Sequence, residues 1–237
     1  MPFIGSVLQW LAEPSRWAGA DSIPTRVAEH ALVSGLALLI AFLLAAPLGI
    51  GLGHWGRGGF LAQNVANIGR ALPSMALLAL ALPLAFALGL GLGFWPTLIA
   101  MVPLGVPAIL TNCYVAVREV DPDVVETARG MGMAEGQVLR KVELPLAAPL
   151  IIGGVRNAAV AIIATATLGA LVAGGGLGRY IVDGLALQQY ERLFVGALLV
   201  ALLSILVEGL LGGLQRWLSV PGQVHEQAPM RSRRLPV

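Results

Sequence analysis

Charge is the scarcest property of this 237-residue sequence: Asp, Glu, Lys and Arg together make up 12% of it, against about 25% in a typical soluble domain. That shortage argues against a solvated globular surface. Cysteine occurs once, at Cys113, inside an apolar run. One thiol can form neither an internal disulfide nor a zinc cluster, so the redox compartment stays open. Aromatic residues reach only 6%, and they show no cage of the kind that holds a quaternary ammonium. The histidines, His30, His54 and His225, are scattered, so no metal site is expected. No basic stripe or binding motif points to nucleic acid. Gly89, Gly91 and Gly93 lack the strand–turn–helix context of a dinucleotide site. Gly174, Gly175, Gly176 and Gly178 lack the Lys and Ser/Thr of a phosphate loop. No catalytic residue, metal or cofactor is therefore expected in this chain, and it is not expected to hydrolyse ATP. The start, MPFIGSVLQWLAEPSRW, has neither a basic leader nor a clear small-residue cleavage site. Insertion into a membrane would then rest on the mature helices.

What the sequence has instead is apolar length. Apolar residues make up 57%, and about 20 in succession cross a bilayer as a helix. Residues 1–29, with Pro14, Pro24 and mixed charges, read as an amphipathic or irregular lead-in. The first span covers Val27 to Leu52. A second is centred on 70–88, with breaks expected near Pro73 or Pro83 and a separate helix over 60–69 as an option. A third occupies 93–113, a fourth 147–172 and a fifth 193–214. The reading is all-α and polytopic, with five transmembrane helices and six as the alternative. The membrane domain is placed at 30–215, and a flexible tail at 216–237. Trp10, Trp17, Trp55, Trp95 and Trp217 fall near the predicted interfaces, where tryptophan anchors membrane proteins.

Five spans put the N-terminus outside. Arg57, Arg70, Arg118, Arg129, Arg140, Lys141 and Arg216 then lie inside near span ends, against Arg16, Arg26, Arg179 and Arg192 outside. The excess of positive charge inside supports that orientation.

The inner segment 114–146, YVAVREVDPDVVETARGMGMAEGQVLRKVELPL, breaks the apolar pattern with ten charged residues. Asp121 is placed to cap a helix that has Pro122 at its first position. A second short helix is expected over Ala134 to Val142, with a turn at Gly130 to Gly132. A loop of this kind can dock a soluble partner, with Val124, Val125, Met131 and Met133 filling a groove and charges fixing the register. It can equally fold back on the chain's own helices.

The stretch Glu126-Thr127-Ala128, then Gly132, then Val142, Glu143, Leu144 and Pro145 resembles the "EAA" loop that marks permease subunits of binding-protein-dependent ABC importers. Thr127 stands where an Ala is usual. The resemblance implies a type I ABC importer permease fold in a bacterial cell membrane (the inner membrane if Gram-negative). It further implies that Glu126, Thr127, Ala128, Gly132, Val142, Leu144 and Pro145 belong to the coupling with an ATPase, the first four in the contact and Leu144 and Pro145 in the return to the next span. Its implied partners are two ATPase subunits carrying ATP and magnesium, a second permease subunit, identical or related, a periplasmic or lipid-anchored solute-binding protein, and membrane lipid. APLGIGLG at 46–53, NIGRALPSMALLAL at 67–80, Asn112 with Tyr114, GGVRNAA at 153–159 and TLGALVAGGGLGRYI at 167–181 are similar to the osmoprotectant subgroup. That narrower resemblance implies glycine betaine, choline or carnitine as solute. An ABC permease for another small solute, an ion-coupled secondary transporter and a structural membrane subunit are the alternatives.

An ionisable group inside a span is costly and marks a pathway or a structural pair. Arg156, Asn157 and Glu208 are the candidates, together with Asn112 and Tyr114 at the end of the third span. Asp183 and Tyr190 lie in the outer Gly-rich connection and are candidate contacts for a binding protein or an external helix.

Overall fold

The computed structural model describes residues 2–219. Its helices are α1 (Pro2–Ala12), α2 (Ile23–His54), α3 (Gly59–Ala71), α4 (Ser74–Ala87), α5 (Phe94–Arg118), α6 (Pro122–Gly130), α7 (Glu135–Val138), α8 (Leu144–Ala166), α9 (Gly178–Ala186) and α10 (Tyr190–Leu218). Among the described residues, four helical stretches are long and apolar enough to cross a membrane, and five when α3 and α4, bent by 92°, count as one broken span. Pro73 marks that break. Pro83 does not break α4, and Pro47, Pro103, Pro107 and Pro149 also sit inside helices. Membrane helices tolerate such prolines because neighbours and local adjustments satisfy the freed carbonyls.

A column of small residues holds the bundle together. Ala37, Ala41, Ala45, Gly49 and Gly53 recur every four residues along α2, and all are buried. That spacing puts them on one face, which lies against α5. The approach is backbone-close: a Cβ on Gly49 would sit 2.5 Å from the Leu110 carbonyl oxygen, and one on Gly53 2.8 Å from that of Tyr114. On α5, a Cβ at Gly105 would meet Ala41 and Ile162 at 2.9 Å each, so α2, α5 and α8 converge there. In lipid, where burial of apolar surface drives little, such close packing is what holds helices together.

The lead-in is folded, not irregular. Phe3 packs edge-on against Phe194 of α10 at 5.7 Å, Trp10 against Tyr180 of α9 at 5.8 Å, and Arg16 lies over the Trp10 ring. The first span begins at Ile23, four residues before the sequence reading, because Ser22 caps the helix and Pro24 suits its first turn. α10 continues to Leu218, past the predicted boundary of the tail, and the tail from residue 220 lies outside the described residues.

The ends expected to face outward are tied by ion pairs and backbone bonds. Arg26 pairs with Asp21 and, at 2.7 Å, with Glu29; Glu29 also accepts from the Gly176 N–H at 2.7 Å. Tyr180 donates to the Asp21 carbonyl at 2.5 Å.

Candidate functional site

The charged segment builds one compact unit at the opposite end of the bundle. Asp121 caps α6, its carboxylate accepting from the Asp123 N–H at 2.9 Å. Val125 and Ala128, three residues apart, face inward and join the core formed by α2, α5 and α8. Ala128, grouped by the sequence reading with the ATPase contacts, is therefore only 3% exposed and packs on its own chain. Its methyl lets α6 lie close to the bundle. Glu126 and Thr127 point outward, the Thr127 hydroxyl donating to the Asp123 carbonyl at 2.7 Å. The apolar residues also divide. Val124 and Met131 are exposed, while Val125 and Met133 pack on the core. Gly132 closes the turn at φ +84°, a conformation that favours glycine.

Beyond the turn the sequence reading needs correcting. The short second helix does not end before the fourth span. α7 runs through a wide five-residue turn, Leu139–Glu143, directly into α8, and the Leu144 N–H donates to the carbonyl of Leu139, five residues back. Pro145 explains that turn. It has no N–H, and its ring would press on the carbonyl four residues earlier, so the ladder opens just before it. Leu144 and Pro145 thus open α8, as the sequence suggests, but within a rod continuous with α7, and Val142 lies in the wide turn, packed against the core.

The turn also brings together four side chains that the sequence does not join. Arg129 on α6 grips Glu135 with two bonds, 2.9 and 3.0 Å. Glu135 lies 3.5 Å from His54 Nε2, and His54 Nδ1 contacts Glu143 at 2.5 Å. His54 closes α2. The His54 and Glu143 side chains are 6% and 5% exposed. The loop is thereby pinned at once to the end of the first span and to the base of the fourth. No local pattern in the sequence joins this group, because His54 and Glu143 are 89 residues apart. The available signal was two polar residues, each at the inner edge of an apolar run.

The other candidates fall elsewhere. Asn112 donates to the Ala108 carbonyl at 2.8 Å, and its Cβ fills the space above Gly154. Tyr114 reaches over Gly59 with its hydroxyl. Both sit in contacts between helices. Arg156 of α8 meets Glu208 of α10 at 3.2 Å, and Asn157 beside it is exposed. Asp183 is held by Arg192 at 3.0 Å and Arg179 at 3.4 Å, while Tyr190 stands exposed at the start of α10.

Known proteins match nearly the whole arrangement. The family described as "Binding-protein-dependent transport system inner membrane component" matches residues 37–220. The choline transport system permease protein OpuBB of Bacillus subtilis is 38% identical over 194 residues, 82% of this chain and 87% of that protein. The glycine betaine/carnitine/choline transport system permease protein OpuCB of the same organism is 35% identical over 197 residues, covering 83% and 88%. The osmoprotectant import permease protein OsmW of Salmonella typhimurium is 34% identical over 197 residues, covering 82% and 90%. Among solved structures, an inward-facing MetNI methionine ABC transporter chain superposes with a TM-score of 0.74 at 22% identity, covering 88% of this chain and 100% of that one. A chain of an amino acid ABC transporter solved with histidines gives 0.66 at 18% identity, covering 81% and 92%. The fold is that of ABC importer permeases, and the chain belongs to the binding-protein-dependent transport system inner membrane components.

Proposed function

We propose that this chain forms the membrane pathway of an ATP-driven importer of small osmoprotectants of the glycine betaine, choline or carnitine class. A solute-binding protein, periplasmic or lipid-anchored, delivers the solute, and a second permease subunit, identical or related, completes the path. Two ATPase subunits bind ATP and magnesium and supply the motion, while this chain contributes no catalytic group. The relatives named above supply the solute class.

The observation that carries the coupling role is the two-sidedness of α6. Its inner face, Val125 and Ala128, is locked onto the bundle. Its outer face presents Glu126, Thr127 and the exposed apolar Val124, followed by Met131 at 73% exposure. Apolar side chains with charges beside them suit a groove on a soluble partner. Arg129, Glu135, His54 and Glu143 then hand movement of α6 to α2 and α8, so that Gly132, Val142, Leu144 and Pro145 serve the geometry of the joint.

The test is to purify the chain with its ATPase subunits and binding protein, reconstitute them in liposomes, and follow ATP turnover and uptake. Solute-loaded binding protein is expected to stimulate turnover. Met131→Asp is expected to weaken retention of the ATPase and to abolish stimulation while the permease stays folded. Normal coupled uptake after disruption of residues 126–132 would refute the coupling role.

A further inference from the structure

Two charged side chains meet inside the spanning bundle. Counting 1.5 Å per residue, Arg156 lies about 18 Å along α8 from Leu144, and Glu208 about 15 Å along α10 from Leu218. Both positions fall within apolar helices of a length that crosses a hydrocarbon core about 30 Å thick. A purely structural pair at that depth is expected to be enclosed and fully hydrogen-bonded. This pair is neither. The Arg156 and Glu208 side chains are 32% and 46% exposed. Arg156 Nε faces the carboxylate at 3.2 Å without an aligned hydrogen bond. Among the described residues, Glu208 is the polar partner of the guanidinium, and its terminal nitrogens are left with bonding capacity.

The neighbours widen this opening. Asn157, next along α8, is exposed. Gly212 on α10, one turn from Glu208, lies so close that a Cβ there would be 3.5 Å from Arg156 Nη1. A Cβ at Gly153, one turn from Asn157, would likewise be 3.5 Å from Gln215 Nε2. Lipid is a poor neighbour for half-exposed charge within a span. The seam must face water or a polar surface. By contrast, Leu206 and Leu210 give the far face of α10 an apolar surface suited to lipid.

We propose that the seam of Gly153, Arg156, Asn157, Glu208 and Gly212 lines the translocation pathway and forms a transient subsite for small zwitterions that carry a carboxylate and a quaternary ammonium. The guanidinium receives the carboxylate, and Glu208 faces the ammonium. The inference deepens the importer reading and rests on it. The pair has no net charge, and a zwitterion laid against it adds none, so the complex avoids an isolated charge in a medium of low dielectric. The loose geometry also fits conduction, which needs a site weak enough to release its occupant.

The test has two arms, both on the transporter assembled with its ATPase and binding protein in liposomes. In the first, Cys113, which is fully buried, is replaced by Ser, and single cysteines are placed at Asn157 and at Leu206 on the apolar face. A membrane-impermeant thiosulfonate bearing a trimethylammonium group is expected to modify N157C and to leave L206C unmodified. Equal behaviour of the two overturns the pathway assignment. In the second, uptake of glycine betaine, which has a carboxylate, is compared with uptake of choline, which has none. R156Q is expected to lower the betaine-to-choline uptake ratio about tenfold, the scale of one lost charge-assisted hydrogen bond, and R156K to restore most of it. An unchanged ratio in R156Q overturns the subsite. A wild-type transporter that carries neither solute overturns the subsite together with the osmoprotectant reading, and the cysteine arm then decides alone whether the seam faces the pathway.

Discussion

Removal of His54 tests the joint between the inner loop and the bundle. In the structure Glu143 is 4% exposed, and its carboxylate is met by His54 Nδ1 at 2.5 Å. His54→Ala deletes that partner and leaves the carboxylate buried without it. Breaking a buried pair on one side costs about 3–5 kcal/mol. For a chain of this size, 1 kcal/mol shifts the melting temperature by about 2–4 °C, so a fall of roughly 6–20 °C is expected. The double variant His54→Ala/Glu143→Leu removes both polar groups and should recover most of the loss, since an apolar replacement on both sides is close to neutral. Recovering most of that loss requires the two changes to be coupled by more than about 2 kcal/mol, the range seen only for residues in direct contact. The assay is thermal unfolding of the detergent-solubilised protein, followed by the fraction that stays monodisperse. The reasoning fails if His54→Ala melts with the wild type, or if the two single effects simply add.

Three further outcomes follow from the geometry. Gly49→Val drives a side chain into the Leu110 carbonyl and Cys113, and should cost at least about 1–3 kcal/mol in the same assay, whereas Gly35→Ala, with open space around its Cβ, should leave stability unchanged or raise it slightly. Gly132→Ala forces a side chain into φ +84° at a cost of about 1–2 kcal/mol, and should speed amide hydrogen exchange in α6 and α7 while that of α10 stays constant. The hydrogen bond and charge of Arg26 hold the Asp21 carboxyl below its ordinary range, so the folded state binds that proton more weakly than the unfolded chain; the stability advantage of the wild type over Asp21→Asn should be constant above about pH 5 and vanish as the pH falls through the lowered value.

The spans were legible because lipid imposes a simple demand on sequence: some twenty apolar residues in a row. The Asp121–Pro122 helix start was equally plain, since capping is local chemistry. Proline was a poorer guide. Pro73 interrupts the chain and Pro83 does not, although both sit in apolar surroundings, because neighbouring helices decide whether a missing N–H can be accommodated. Pro145 stands in the first turn of α8, as its sequence context suggests, but a single wide turn joins that helix to α7 and the rod runs on. The inward face of α6 was partly hidden, since Val125 and Ala128 are distinguished from Val124 and Met131 only by their direction. The contact of His54 with Glu143 was invisible for a plainer reason. It depends on the ends of two spans arriving at one place, which no local pattern records.

The continuity of residues 135–166 has a mechanical meaning. Some 32 residues of unbroken helix make a lever about 48 Å long. One end carries Glu135 beside α6, Arg156 stands about two-thirds of the way along, and the other end gives way to the tight turn at Thr167–Val172. A tilt of about 5° at the inner end would swing the outer end by about 4 Å over that length. The lever can give at its inner end, in the wide turn at Leu139–Glu143, and just past its tip, in the Gly-rich backbone at 174–176 that leans on Glu29 and His30. Stiffness in one helix thus decides where the rest of the chain has to bend.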